Sequence, residues 1–271
     1  MGGLAGSMPH VRANSSEKGK VAAGVYLLFS PGKRPDRDAV LSAIPDMPLA
    51  SVSHDPAIID TGSESGAARK GRWLELLLSG MTFDLLGLEP GPSIEVPEIA
   101  HRVGCDAGFD PEASDALVLL PGPHLADGAD SLPIVRAMLD LACGLSRRLD
   151  EVQTVCWSPA RAAVAMPMFC QSVEQWLGGG VFPALGLAGF ATDGEERLTS
   201  EGLAHFVGQE IVIGRDLSRD RLSATKLAAR LIHEIVGTGK VDAPREFVSD
   251  EGITLRLSPA ADGTTIEVSR M

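Results

Sequence analysis

The stretch DALVLLPGPHLADGADSLPIVRAMLDLACGLSRRLDEVQTVCW, Asp115 to Trp157, carries the clearest run of elements in the 271-residue chain. DALVLL is a continuous apolar run ended by Pro121-Gly122-Pro123, the pattern of a central strand. Val135, Met138, Leu139, Ala142, Leu145 and Leu149 then recur at helical spacing. Asp130 or Ser131 can cap that helix, Pro133 sits where a missing N–H costs little, and Arg147 and Arg148 suit its C-terminal dipole. VQTVCW, Val152 to Trp157, alternates as the next strand.

The same alternation extends outward in both directions. Upstream, VAAGVYLLF (Val21 to Phe29) reads as a buried strand closed by Ser30-Pro31-Gly32, and Asp36 to Ile44 as a short helix stopped by Pro45. Strands around Leu49 to His54 and from Trp73 to Gly80 complete a βαββ start, with TGSESGAARKG between them as a loop. Downstream, Pro167 to Leu177 forms a helix ended by Gly178-Gly179-Gly180, while FPALGLAGF (Phe182 to Phe190) and Gln209 to Ile213 read as strands. A last helix starts at Ser218 or Asp220 and ends at Gly237, before a hairpin of Ile253 to Leu257 and Thr264 to Val268 around Asp262-Gly263. The pattern predicts an α+β fold. Its sheet is mixed and covered mainly on one face by helices at about 131–148, 167–177 and 220–236, as two ferredoxin-like halves. Residues 1–19, small and polar, read as a disordered tail; 20–271 reads as one domain, divisible at most into 20–114 and 115–271.

Charge narrows the functional classes. With 24 Lys and Arg against 36 Asp and Glu, the net charge of −12 repels a phosphate backbone or an anionic membrane. Aromatic residues make up only 4%, too few for a stacking platform on single strands, so no nucleic-acid partner is expected. No uninterrupted apolar run approaches the roughly 18 residues of a membrane span, and the N-terminal segment lacks the apolar centre of a secretory signal; a cytoplasmic location is expected. Between Trp73 and Val135 stand eleven acids and one base, Arg102. That is a solvated acidic face, or a site for a basic partner or a hard cation.

Strong chemical signatures fail on inspection. Gly237-Thr238-Gly239-Lys240 closes a helix instead of opening one and is followed by Val241, so it is no phosphate loop. Gly62-Ser63-Glu64-Ser65-Gly66 has glutamate where a nucleophile elbow needs serine. His233-Glu234 lacks a second histidine one turn on and reads as a solvated face with Lys226 and Arg230. Cys105, Cys143, Cys156 and Cys170 show no C-x-x-C spacing and read as reduced thiols, with Cys156 and Cys170 in the core. His101, Cys105 and Asp106 can meet on one helical turn, but they are too few for a metal site; no metal and no cofactor is expected. Two polar clusters remain. His124 follows the central strand in PGPHLADG, where loops often carry function. SEGLAHFVGQE carries Glu201, His205, Gln209 and Glu210; if helical, Glu201 and His205 lie one turn apart and can share a proton.

At these same segments the chain resembles an uncharacterised bacterial family described only as a domain of unknown function. The matching text is LLPGPHLADG, LPIVRAMLDLA, CWSPAR, FCQSVEQWLGGGVFPALGL and SEGLAHFVGQEI, from about Leu119 to Ile211, with weaker similarity in WLELLLSGMTFDLLGLEPGPS. The resemblance implies a compact bacterial α+β protein. It marks Pro121-Gly122-Pro123-His124, Trp157-Ser158-Pro159-Ala160-Arg161, Trp176 and Gly208-Gln209-Glu210 as fold determinants or a ligand site. The candidate binding residues are therefore His124, Trp157, Ser158, Arg161, Glu201, His205, Gln209 and Glu210, and none is assigned a catalytic role. The expected function is that of a non-catalytic recognition or accessory protein for a partner or small ligand. Alternatives are a hydrolase-like enzyme using His124 with Glu201, His205 or Glu210, and an immunity-type protein meeting a basic enzyme surface.

Overall fold

The structure, a computed structural model, describes residues 23–59, 73–249 and 252–271, with residues 58–59 described in backbone only. The expected tail and the loop reading of 61–71 lie outside the described residues. A first sheet holds β1 (Val25–Phe29), β2 (Ala50–His54), β3 (Trp73–Leu78), β4 (Met81–Leu86), β5 (His101–Val103), β6 (Asp115–Pro121), β7 (Val152–Trp157) and β8 (Ala162–Ala165). Its order is β2-β3-β4-β6-β1-β7-β8-β5. A second sheet holds β9 (Gly189–Thr192), β10 (Leu198–Glu201), β11 (Glu210–Ile213), β12 (Arg245–Val248), β13 (Thr254–Pro259) and β14 (Thr265–Arg270), ordered β12-β13-β14-β11-β10-β9. Both are mixed: β5 runs parallel to β8 and β11 parallel to β14.

β1 and β6 occupy the middle because their residues are apolar on both faces. All five residues of β1 are buried, as are Ala116 to Leu119 of β6, as expected for strands covered on two sides. β1 is antiparallel to both β6 and β7, with Leu119, Val25 and Trp157 in one register row. The four longer helices are α1 (Arg37–Ala43), α2 (Leu132–Ser146), α3 (Met166–Leu177) and α4 (Arg221–Thr238). Helix α2 connects β6 to β7 and packs Val135, Leu139 and Ala142 into a core with Leu27, Leu117 and Val155. That core continues into the second sheet through Ile211, Ile213, Leu257 and Val268, joined by Leu231, Ile232 and Ile235 of α4. The other face of the first sheet is covered without a helix. Tyr26, Leu28, Ala116, Val118 and Cys156 lie under Ile94, Val96, Ile99 and Phe109, an irregular segment that packs by its apolar side chains.

The α+β class and the helices agree with the sequence pattern, and α2 and α3 lie on the first sheet as expected; α4 instead packs on the second sheet, against β10 and β11. Three further details differ. The strands form sheets of eight and six, not two four-stranded ferredoxin-like halves. A division between residues 114 and 115 would cut the first sheet, since β6, β7 and β8 pair within it. FPALGLAGF folds as one helical turn, Ala184–Leu187, before β9. The run has no alternation to specify a strand, and Gly186 lets the turn approach the Phe169 ring of α3, where an added Cβ would lie 3.3 Å from it.

Truncating the doubly covered strand should be costly. Leu117→Ala, at a side chain with 0% exposure, is expected to lower the unfolding free energy by about 2–5 kcal/mol in denaturant titrations. Leu185→Ala, at a side chain with 49% exposure, should cost less than about 1 kcal/mol.

Candidate functional site

Because β6 and β7 both run antiparallel to β1, their carboxyl ends open at the same edge, beside the chain segment entering β1. Ser158 ties the two together there. Its backbone N–H donates to the Gly24 carbonyl (3.2 Å), and its Oγ accepts from the Gly24 N–H (3.0 Å). Position 24 tolerates only glycine at this approach, since a Cβ would stand 2.5 Å from Leu120 Cδ2 and 2.8 Å from the Leu119 carbonyl oxygen.

The second sheet delivers the remaining wall through the turn between β10 and β11. Glu210, at the start of β11, turns its carboxylate back on that turn and accepts from the N–H groups of Gly202 (2.8 Å), Leu203 (3.2 Å) and Ala204 (3.0 Å), and from Ser200 Oγ. Four donors are thereby satisfied by one side chain, which fixes the turn. Gly202 holds φ +99°, and a Cβ there would lie 2.6 Å from Ala160 Cβ; the turn therefore nests directly on the Trp157–Arg161 segment. Gln209, with 0% exposure, clamps the backbone of Val241, donating to its carbonyl (3.1 Å) and accepting from its N–H (2.8 Å). The outcome is to bring His205 and Phe206 against Trp157, with ring centroids 5.1 and 6.1 Å away.

Arg161, itself in the left-handed region at φ +46°, braces the same junction from outside. Its Nε and Nη2 donate to Glu201 (2.6 and 3.2 Å) and its Nη1 to Glu98 (2.7 Å), while Glu201 also meets His101 Nε2 at 2.9 Å. Burial pushes the Glu201 carboxyl up, but its hydrogen bonds and charge contacts with Arg161 and His101 outweigh this and hold it below the usual carboxylate range.

Between these walls lies a cleft of about 360 Å³ lined by Ala126, Asp127 and Asp130 from the loop after β6, Ser158 and Pro159 after β7, and His205, with Ala23 and Ala129 completing it. Its volume lies in the small-molecule range, about 300–1,000 Å³. Clefts of about 500 and 520 Å³ lie elsewhere, but neither gathers residues from the three motif segments. Asp127 and Asp130 make no salt bridge among the described residues, whereas Glu89, Glu98 and Asp115 from the same acidic stretch are paired with Arg34 or Arg161. His205 Nε2 is buried with no hydrogen-bond partner among the described residues, and so is the Trp157 Nε1 behind it. Burial pushes the His205 pKa below its ordinary value, with the Asp130 charge opposing, so the ring is neutral near pH 7.

The candidate residues thus divide. Ser158 and His205 line the cleft and Trp157 backs it; Arg161, Glu201, Gln209 and Glu210 hold the walls in place. His124 is exposed on the far flank, near Thr82 Oγ1 of β4 at 3.4–3.5 Å. The proton-sharing pair expected of Glu201 and His205 does not form. Glu201 ends a strand and is engaged by Arg161 and His101, while His205 sits in the single turn Ala204–Val207 beyond the bend at Gly202. His101 likewise belongs to β5, not to a helical turn with Cys105 and Asp106, and no group of three such ligands stands together among the described residues. His233 is not purely solvated: its Nδ1 accepts from the Phe182 N–H at 3.1 Å. Asp127 and Asp130 were the residues missed; both stand in the quoted loop, but Asp130 reads there as a helix cap. Compared with family models, curated proteins and solved structures, the chain matches none.

Two measurements test this assembly. Gln209→Leu should lower stability by about 2–5 kcal/mol in denaturant titrations, because it leaves a buried N–H and a buried carbonyl of Val241 without partners. Since folded His205 binds a proton less readily than its unfolded form, stability should drop as pH falls below about 6.5. The thermal midpoint of His205→Gln should decline less between pH 7 and pH 5 than that of the unsubstituted protein, roughly in proportion to the lost titration.

Proposed function

We propose that the chain is a non-catalytic recognition protein whose strand-end cleft binds a small molecule bearing a cationic group. The observation that carries this reading is the pairing, in one recess, of two carboxylates that make no salt bridge among the described residues, Asp127 and Asp130, with a histidine whose buried Nε2 lacks a hydrogen-bond partner among the same residues. An ammonium or guanidinium group supplies the missing counter-charge, and an adjoining polar atom of the ligand satisfies the imidazole. Convergence of three motif segments on this recess supports the same reading, because residues far apart in sequence are needed to build it. The acidic stretch from Trp73 to Val135 would draw such a ligand in, most strongly at low salt.

Isothermal titration of the full chain with putrescine and agmatine tests the proposal. Saturable binding is expected, weakened by salt and reduced about tenfold or more by the double substitution Asp127→Asn, Asp130→Asn at unchanged thermal midpoint. No saturation up to about 10 mM ligand, or equal affinity in the double variant, would overturn it.

A further inference from the structure

The four cysteines sort by face of the first sheet. Cys105 and Cys156 belong to the side under Ile94 and Phe109, while Cys143 of α2 and Cys170 of α3 lie on the helix-covered side, 2% and 0% exposed. All four are free thiols. Cys143 and Arg147 stand one turn apart on α2 and its C-cap, and Cys170 and Glu174 one turn apart on α3, so each pair shares a helix face. Arg147 grips Glu174 with both prongs of its fork, Nε to Oε1 at 2.5 Å and Nη2 to Oε2 at 2.7 Å. A second contact pins the same two helices: the Arg136 guanidinium lies 4.6 Å over the Trp176 ring and donates from Nη2 to the Leu177 carbonyl (3.1 Å). The face of α2 bearing Cys143 is thereby held against the face of α3 bearing Cys170. There the Cys143 thiol donates a hydrogen bond to the Cys170 sulfur.

The pair is buried but has an approach from outside. Cys143 lines a cleft of about 360 Å³ with Met47, Leu78, Asp140 and Arg147. That space is far above the roughly 30 Å³ that one water occupies, so a small oxidant fits. Gly144, where an added Cβ would meet Met47 Cε at 2.3 Å, lets this unbranched and adaptable side chain lie close over the cysteine turn. Proton affinities within the pair diverge. The shared hydrogen bond and burial push the Cys143 thiol up, whereas the same bond and the Arg147 charge hold the Cys170 thiol down, so the first proton leaves from Cys170. The pair on the other face lacks such a member: burial pushes Cys105 up, and burial with the neighbouring Cys105 pushes Cys156 up to about 12.

We infer that Cys143 and Cys170 form a redox-modification site, two thiols that a peroxide converts to a disulfide strapping α2 to α3. One sulfur takes an oxygen as the O–O bond of the peroxide breaks, releasing a first water. The other sulfur displaces that oxygen as a second water, so two S–H bonds are lost, one S–S bond forms and the peroxide takes up two electrons. The test treats the folded full chain with about 1 mM hydrogen peroxide, alkylates the remaining thiols under denaturing conditions and maps the peptides by mass. Cleavage after Lys and Arg puts each cysteine on its own peptide, because Arg102, Arg136, Arg147, Arg148 and Arg161 separate them. The expected product joins the Cys143 and Cys170 peptides, about 2 Da lighter than the two reduced peptides together, and reverts with dithiothreitol. It should exceed any Cys105–Cys156 product by about tenfold or more and persist undiminished in Cys105→Ser. Full alkylation of both thiols after peroxide, oxidation that stops at single sulfurs, a link between any other pair, or a Cys143–Cys170 link that forms only in the unfolded chain would overturn the assignment.

Discussion

A strand that is antiparallel to both of its neighbours forces those neighbours parallel to each other, and β1 does this to β6 and β7. Two parallel strands cannot be joined by a hairpin, so the chain must cross over, and α2 is that crossover. Its apolar stripe then has to lie on the sheet it spans, which places the main core on that face. The same constraint puts the loops after β6 and β7 side by side. The acidic loop, the Trp157–Arg161 segment and the entry to β1 meet there because the carboxyl ends of β6 and β7 flank the amino end of β1.

The second sheet adds to that edge through polar residues that are structural in their geometry. Glu210 satisfies a turn, Gln209 substitutes for a missing strand partner of Val241, and Arg161 with Glu201 bolts the two sheets' segments together. Buried polar groups of this kind specify one arrangement, because each alternative would leave donors or acceptors without partners. Among the described residues, His205 Nε2 and the carboxylates of Asp127 and Asp130 are not consumed in this way, and these groups face the recess.

The helices were legible because each repeats an apolar face over two or more turns, and their caps and stops were in the expected places: Asp220 before α4, the glycines after α3. Central strands were legible as continuous apolar runs. Strands of three or four residues, such as β5, β8, β10 and β12, contain less than two periods of alternation and carry no comparable signal. The site was half legible. SEGLAHFVGQE announces polar residues at helical spacing, but the positive φ of Gly202 breaks the helix between Glu201 and His205, sending one residue into a sheet and the other to a cleft. His124 carried the strongest local cue, a histidine beyond a central strand, yet the turn it occupies points it toward β4.

Order in the chain and order in the sheets disagree, and this bears on how the molecule is made. β1 is the earliest strand, but both its neighbours come much later; β11 must wait for β14, which follows every other strand of its sheet. During vectorial synthesis the β9–β11 piece and the β12–β13 hairpin therefore exist for a time with unpaired borders, displaying Ile211, Ile213, Leu255 and Leu257. Such nascent borders are templates for the wrong partner. Dependence on a holding chaperone should thus concentrate in the interval before the fourteenth strand has emerged.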